Sequence, residues 1–440
     1  MMSNKSVFAR RLKLEFDFFI LGMIVSSVIG VAISYADIYL YHIFLLFIFF
    51  LLFIKLKLSN YSLNLGSHLG NLHFFFFLIF LWYSFSLFWA PNLIYGLKYL
   101  FYIACGSLLS LSIIFFASTM KRLDTLFKVL TVIFTIEIII ALLESFTAFQ
   151  MPISRYSKWA SIFYKVPQES FEYSASSLFF QRPPPTGFHW DTNDLAITML
   201  LISPFFIINN NTMPKIFGIS AIFSIIAMTS SRSVFIGIIS IFLFYFFVIK
   251  KKVTTIFMVL GFAALVFIGT IKLQTSDNPR FNELANSIGV ITLYLTGQID
   301  VDNSIKWRLE LARNGIDALF KSKGLGVGGG GSVAIQEKIG GVAGRFTSMH
   351  NFWIEILVEG GILFFIFFST WYIVIIINLY KIARNIKNQL SERSTALLLS
   401  MIGFIPAAIA ASSTIYFFPM WIMLGLSISV INLNNFLTHN

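Results

Sequence analysis

The chain has 440 residues, of which 57% are hydrophobic and only 12% are charged, whereas soluble domains carry about 25% charged residues. Together with a mean hydropathy of +0.81, this composition excludes an ordinary soluble enzyme and favours a membrane protein that crosses the bilayer many times. Basic cytoplasmic loops explain much of the net charge of +12, so nucleic acid is not expected as a partner.

Apolar runs long enough to cross a bilayer recur along the chain. We predict an all-α polytopic membrane protein with about 12 transmembrane helices, forming a single integral membrane domain over residues 1–440. With so many further spans, the first run is expected to be an uncleaved helix rather than a signal peptide. The predicted spans are 16–36, 38–55, 72–89, 94–118, 126–148, 193–209, 214–229, 232–249, 253–272, 354–380, 395–413 and 415–433.

The distribution of Lys and Arg predicts that both termini are cytoplasmic. Basic residues cluster before the first span and in alternate short connections, while the short connections on the other side contain only Arg232. Two long segments then lie outside, 149–192 and the larger 273–349, because long loops are translocated regardless of charge. We expect the second loop to contain short helices and part of an active site.

The first outer loop ends in a stiff approach to the next helix. Three prolines from Pro183 and then Gly187 predict an extended segment, and Thr192 or Asn193 is expected to cap the helix that follows. Two interpretations stay open. The segment is either a rigid, well-capped loop or the wall of an outer-face substrate site, with Arg182 and Asn193 as supporting residues.

Two arginines are candidate ligands for an anion. Arg232 lies between two apolar helices with almost no loop, where a guanidinium is costly unless it meets an anionic partner or a wet cavity. A phosphate group would satisfy it, and the alternative is snorkelling to the lipid headgroups. Arg308 is either a ligand contact or an ordinary solvated helix residue.

Arg308 belongs to an amphipathic segment of the large loop. Apolar residues recur at helical spacing from Ile305 to Phe320, and Gly324 is expected to cap the helix. The glycine-rich run 324–331 follows no strand, so it predicts a flexible, closely approaching loop around Gly326 rather than a nucleotide site. The predicted apolar face consists of Leu309, Ala312, Ile316 and Phe320.

His350 stands where the large loop meets the next apolar span. Histidine is the side chain best suited to move a proton near neutral pH, which suggests a general base at the outer face. The alternative is a histidine held by a satisfied hydrogen bond at a helix start. Glu359 is expected to have a structural role, pairing with an arginine. With one cysteine, Cys105, and no ligand spacing among the histidines, no metal or cofactor is expected.

In this order, the motifs resemble those of the bacterial O-antigen ligase and polysaccharide polymerase superfamily, over about residues 75–380. Two departures are Thr192, where the family often has proline, and Asn314, where an aromatic residue is common. The matching positions are Trp89-Ala90-Pro91, Arg182-Pro183 with Gly187 and Asn193-Asp194-Leu195-Ala196, Ser231-Arg232, Trp307-Arg308 with Gly324, Gly326 and Gly328, and His350-Asn351-Phe352 with Glu359 and Gly361.

The resemblance implies a membrane glycosyl-transferring enzyme of the bacterial cytoplasmic (inner) membrane, with an extracytoplasmic active site. Its donor would be an oligosaccharide linked through diphosphate to a polyprenol, and its acceptor a sugar hydroxyl of another glycan. By the same resemblance, His350 would be the general base, and Arg232 and Arg308 would bind the diphosphate without a metal. Membrane lipid, a chain-length regulator and a flippase are further expected partners.

The expected function is therefore polymerisation of a surface polysaccharide such as O-antigen, capsule or exopolysaccharide. The alternative is ligation of the finished glycan to lipid A core or another terminal acceptor. A flippase or transporter is a more distant alternative, since it would carry charged residues buried mid-helix across many spans, often with repeated halves. A scaffold protein would not need Arg232 at an outer turn. The sugars and the linkage stay open.

Overall fold

The fold is helical, as continuous Leu, Ile and Phe runs require in a medium where the backbone must satisfy its own hydrogen bonds. The computed structural model describes residues 17–58, 71–165, 183–209, 211–229, 231–250, 303–340, 347–385, 387–409 and 415–439. Its helices are α1 (Asp17–Ile33), α2 (Leu40–Leu58), α3 (Phe74–Ser86), α4 (Leu93–Phe116), α5 (Met120–Phe146), α6 (Thr192–Ile207), α7 (Thr212–Thr229), α8 (Arg232–Leu243, followed by a π-helical turn Phe244–Lys250), α9 (Asn303–Lys321), α10 (Gly331–Ile339), α11 (Phe352–Arg384), α12 (Ser391–Ala407) and α13 (Phe418–His439).

Smaller elements lie between the helices of the described part of the chain. The antiparallel strands β1 (Ser34–Tyr35) and β2 (Ile38–Tyr39) join α1 to α2. A 3-10 turn, Lys158–Phe163, lies in the first predicted outer loop, and its Phe163 carbonyl accepts a hydrogen bond from the N–H of Ala36 at 3.1 Å. This bond ties the hairpin to the outer loop.

Within the described residues, six helices are long and apolar enough to cross a membrane: α4, α5, α7, α8 with its π turn, α11 and α13. The chain is thus a multi-pass membrane protein. The predicted total of about 12 spans is not confirmed and stays a prediction. The predicted span 253–272 lies outside the described residues, and each of the other predicted spans overlaps a helix.

Helix α12 lies at the centre of the part that positions the site. It packs against α6, α8 and α11, while α13 packs along α4. Small residues make these contacts close. A Cβ on Gly237 of α8 would lie 2.7 Å from the carbonyl of Gly403 in α12. The same helix ends at Ala407, beside the starts of α8 and α11.

Helix α11 breaks at Gly361, whose φ of +82° is left-handed and favours glycine. The freed backbone groups are paired by the glycine-rich loop. Val327 and Gly328 donate their N–H groups to the carbonyls of Val358 (2.9 Å) and Glu359 (3.0 Å), and Ile362 donates to Gly324 (2.9 Å). Trp82 Nε1 donates to the remaining carbonyl, that of Gly360, at 2.9 Å. The predicted close approach is confirmed, but the loop is held by hydrogen bonds rather than left flexible.

The amphipathic helix of the large loop is confirmed as α9, and Gly324 ends it with a left-handed φ of +80° and an N–H bond to Leu319. The predicted apolar face is wrong. Leu309 and Phe320 are exposed, whereas Leu311 and Leu319 are buried on the same side as Gly315. Gly315 decides this orientation, because its missing side chain makes room for Met349 and Val358.

We predict that Gly326→Ala destabilises the protein strongly. A Cβ at this position would lie 2.5 Å from the carbonyl oxygen of Glu359 and the nitrogen of Gly361, both backbone atoms, and the φ of +91° adds strain. We expect a loss of about 2–4 kcal/mol, measured as a lower melting temperature of the purified protein in detergent. Gly340→Ala is the control, since it has a φ of +53° with open space around it and should lose about 1 kcal/mol. Equal losses would contradict the packing argument.

Candidate functional site

A carboxylate of α5 binds the stiff segment that leads into α6. Glu144, only 4% exposed, accepts hydrogen bonds from the N–H groups of Thr186 (2.8 Å), Gly187 (2.7 Å) and Met151 (3.0 Å). One side chain therefore fixes both ends of the first outer loop. The sequence prediction missed Glu144, although an ionisable residue inside an apolar span is by default a candidate for a special role.

A second carboxylate of α5, two turns earlier, contacts the same segment. Glu137 Oε1 lies 3.1 Å from His189 Nε2, which is also 2.9 Å from the hydroxyl of Thr198. Burial alone would lower the pKa of His189, but the hydrogen bond and charge of Glu137, with Asp194 and Asp191, raise it above its ordinary value. This pair was also missed. The signal was the presence of two acids seven residues apart in one apolar span.

Asp191 caps α6, and neither Thr192 nor Asn193 does. Its Oδ1 accepts from the backbone N–H (2.8 Å) and the side-chain Nδ2 (3.1 Å) of Asn193, while its other oxygen forms an ion pair with Arg155. The predicted cap was wrong because the acid at 191 gains the arginine, which comes from the far side of the loop. Asn193 thus supports the cap. Arg182 lies outside the described residues.

His350 occupies a strained backbone position, with φ +47°. A non-glycine residue in this region costs about 1–3 kcal/mol, and such positions cluster at functional sites. The strain ends one residue later, where Asn351 caps α11 through bonds to the N–H groups of Trp353 (3.1 Å) and Ile354 (3.2 Å). His350 therefore precedes the helix start, and its direction is set by the loop.

Charged groups from three segments surround His350. Burial lowers its pKa to about 4, and the guanidinium of Arg308 acts in the same direction, opposed by Asp191 and assisted by Arg155. Arg308 and the Arg155–Asp191 pair are therefore close to the imidazole. A histidine with so low a pKa is neutral at physiological pH, which is the form that can accept a proton.

Arg232 is brought to the same end of the bundle through α12. Ser233, beside it, donates its hydroxyl to the carbonyl of Ala407 at 3.2 Å. Phe352, two residues after His350, donates its N–H to the carbonyl of Ala408 at 3.0 Å. The first turn of α8 and the approach to α11 thus flank one turn of α12, with Arg232 on one side and His350 on the other.

Glu359 was expected to pair with an arginine. Within the described residues its carboxylate instead accepts from the hydroxyl of Ser332 at 2.7 Å, and no arginine pairs with it. An acid at the start of α10 also complements the helix dipole. Glu355, one turn earlier, accepts from the hydroxyl of Tyr99 at 3.1 Å. Gly326 lies against the backbone of Glu359 and Gly361 and supports the break in α11.

The candidate site thus combines His350, Arg308 and Arg232 with the Arg155–Asp191 pair and the capped start of α6. Among the described residues, no three His, Cys, Asp or Glu side chains are grouped as a metal site requires. The arrangement joins a neutral base to guanidinium groups at one end of a membrane bundle. These residues form a candidate site at one end of a multi-pass membrane protein.

Comparison with known proteins finds a similarity to one family over part of the chain. The family Wzy_C, described as O-Antigen ligase, matches residues 217–369, a range that includes Arg232, Arg308, His350 and Glu359. The teichuronic acid biosynthesis protein TuaE of Bacillus subtilis (strain 168) is 25% identical over 380 residues, which covers 83% of this chain and 72% of TuaE. The chain is thus similar to the O-antigen ligase family and to a teichuronic acid biosynthesis protein, in line with the resemblance seen in its motifs.

We predict that Glu144→Ala loosens the approach to α6. The N–H groups of Thr186 and Gly187 would lose their acceptor in a buried position, and each unsatisfied donor costs about 1–3 kcal/mol. Hydrogen–deuterium exchange should become faster at Thr186 and Gly187. Glu337→Ala is the control, because its carboxylate bonds only the exposed hydroxyl of Tyr95 among the contacts described. Unchanged exchange in Glu144→Ala would show that the segment is held by other contacts.

Proposed function

We propose that this protein is a surface polysaccharide polymerase that uses a glycan carried on polyprenyl diphosphate. The observation that carries this proposal is the neutral His350 beside the guanidinium of Arg308, at the same end of the bundle as Arg232. The family matches support the reaction class and leave the choice between polymerase and ligase to experiment. The proposed reaction takes place at the outer face of the cytoplasmic membrane, with both termini cytoplasmic.

In the proposed reaction, the hydroxyl oxygen of the acceptor sugar attacks the anomeric carbon of the donor. The bond from that carbon to the diphosphate oxygen breaks, and His350 takes the proton of the hydroxyl. The diphosphate leaves on the polyprenol with its added negative charge stabilised by Arg232 and Arg308. The reaction therefore produces one glycosidic bond, one polyprenyl diphosphate and one proton.

The first experiment replaces His350 in the producing organism. A deletion strain complemented with His350→Ala should lose long glycan chains and retain single repeats, because no base accepts the hydroxyl proton. His73→Ala is the control, since His73 lies at the end of α3 opposite to Ser86, which contacts the glycine-rich loop. Glycan length is measured on gels and by mass spectrometry. Normal chains in the His350→Ala strain would overturn the catalytic role.

The same experiment distinguishes the ligase, which the family description O-Antigen ligase favours. A ligase acts after the chain is complete, so His350→Ala would leave full-length chains on the carrier lipid. Chain-length regulator and flippase partners are expected for the polymerase and are tested by copurification.

We further expect that Arg232→Lys and Arg308→Lys each reduce turnover about 100-fold, since an ammonium cannot replace the two-pronged contact of a guanidinium with diphosphate oxygens. Arg313→Lys is the matched control because Arg313 is exposed on the same helix as Arg308. Turnover is measured with purified protein in vesicles. Wild-type turnover in both variants would exclude the diphosphate role.

The pH dependence provides an independent prediction. Burial and, after it, the positive charge of Arg308 lower the pKa of His350 in the donor-free protein, and a bound diphosphate would offset the part due to Arg308 and raise the pKa. The acid limb of kcat/KM, which reports the free enzyme, should lie near pH 4, and that of kcat should lie at higher pH. Arg308→Gln should move the kcat/KM limb upward. Coincident limbs would contradict electrostatic coupling between donor and base.

A further inference from the structure

A buried carboxylate near the reactive centre has no role in the proposed transfer. Asp194 follows the cap of α6, and its Oδ1 is buried and makes no hydrogen bond with any residue that the structure describes. A buried polar atom left without a partner requires an explanation, such as a ligand that supplies the missing donor. Asp194 lies close to Asp191, His189 and Arg155, and the first and last of these are near His350.

Three tyrosines from three different elements lie close to this carboxylate or to one another. Tyr39 comes from β2, Tyr102 from α4 and Tyr416 from the approach to α13. The rings of Tyr102 and Tyr416 have centroids 5.1 Å apart. Tyr39 and Tyr416 are each close enough to Asp194 to interact with its charge, and Tyr39 is likewise near Tyr102. The four side chains therefore form one cluster, although they are far apart in the sequence.

The cluster is accessible. Tyr416 is 37% exposed, and Tyr39 and Tyr102 are only partly buried. The rings are held in place at the rim, where Lys98 Nζ lies 5.9 Å from the centre of the Tyr102 ring and Lys165 Nζ lies 6.0 Å from that of Tyr39. Both lysines also form ion pairs with Asp37, at 3.5 and 3.6 Å. The aromatic faces are thus ordered before any ligand binds.

We propose that Asp194 with Tyr39, Tyr102 and Tyr416, here called the tyrosine cup, is a sugar-binding subsite that holds a glycan residue close to the reacting bond. A pyranose ring presents C–H faces that stack on aromatic rings and hydroxyl groups that donate hydrogen bonds. The cup offers both complements, aromatic faces and a carboxylate oxygen ready to accept. The ligand is a neutral or charged sugar residue of either the acceptor or the donor glycan. The proposal rests on the proposed function for the origin of the glycan, but not for its binding.

The test measures binding without catalysis. Full-length protein carrying His350→Ala is purified in nanodiscs and titrated by calorimetry with lipid-free oligosaccharides of one to four repeats, released by mild acid from the surface polysaccharide of the producing cells. We expect this His350→Ala protein, the parent of the further variants, to bind the oligosaccharides. Asp194→Asn and Tyr416→Leu should weaken binding about tenfold, because one removes a charged acceptor and the other a stacking face. Tyr416→Phe, which keeps the ring, should retain most of the affinity.

Tyr35→Leu is the control, since Tyr35 is an exposed tyrosine of the same hairpin outside the tyrosine cup and should bind like the parent. Thermal melting identifies any variant that fails to fold. Tyr416→Leu, at an exposed position, keeps the test valid if Asp194→Asn does not fold. Binding within twofold of the parent in folded Asp194→Asn and Tyr416→Leu, or no binding by the parent, would overturn the subsite.

A kinetic comparison in protein that retains His350 distinguishes whether the bound sugar belongs to the acceptor glycan or to the donor glycan. A higher KM for the acceptor in Asp194→Asn assigns the tyrosine cup to the acceptor glycan, and a higher KM for the lipid-linked donor assigns it to the donor glycan. Failure of the proposed function would be seen separately, as normal glycan with His350→Ala, while the calorimetry still reports on the subsite.

Discussion

The arrangement of the site depends on how the backbone is satisfied at the break in α11. In an apolar medium, unpaired N–H and C=O groups cost several kcal/mol each, so a helix can be interrupted there only if other parts of the protein supply partners. The carbonyls of Val358, Glu359 and Gly360 receive three donors, two from the glycine-rich loop and one from Trp82. This requirement attaches α9 to α11. It therefore fixes the helix that carries Arg308 relative to the segment that carries His350.

Three carboxylates that fix loops and helix starts act as hydrogen-bond acceptors. Glu144 accepts from the segment before α6, Glu359 from the hydroxyl of Ser332 at the start of α10, and Asp191 from the first turn of α6. Because these carboxylates are bonded to N–H and hydroxyl groups, most of them do not neutralise the arginines of the site. Asp191 is the exception, since Arg155 pairs with it. The net effect on His350 is a lower pKa, caused first by burial and then by the positive charge of Arg308, which outweighs the negative charge of Asp191.

The sequence was a good guide to features that depend on local chemistry. The helices followed from apolar runs, the end of α9 at Gly324 from the freedom of glycine, and the positions of the candidate residues at helix starts from the change between polar and apolar segments. Features decided by a distant partner were not predictable in this way. Asp191 was preferred over Thr192 and Asn193 as the cap because of Arg155, and the buried face of α9 was selected by the space beside Gly315. Glu359 could have met an arginine or a helix start, and only the fold determined which.

The missed carboxylates show what a reading of the sequence should weigh more heavily. Glu137 and Glu144 interrupt an otherwise apolar span, and both contact the segment that leads to Asp191 and Asp194. An acid in such a position is retained only if contacts in the folded protein compensate for its desolvation. Here the contacts give rigidity, because α5 fixes the approach to α6 and with it the Asp191 cap, one of the charges that act on His350. The charges that act on the base therefore depend on α5 as well as on α11, two helices that lie far apart in the sequence.

On the proposed chemistry, this rigidity also has a functional consequence. A histidine whose pKa is near 4 is a weak base, so it is poorly suited to take a proton while the site holds no anion. A diphosphate bound at Arg308 would offset the part of the lowering that Arg308 adds to the larger effect of burial, and the base would become stronger when the donor is in place. By reciprocity, a protonated His350 would bind the anionic leaving group more tightly. The same electrostatic coupling that favours proton transfer would then slow the release of polyprenyl diphosphate until His350 returns its proton to water.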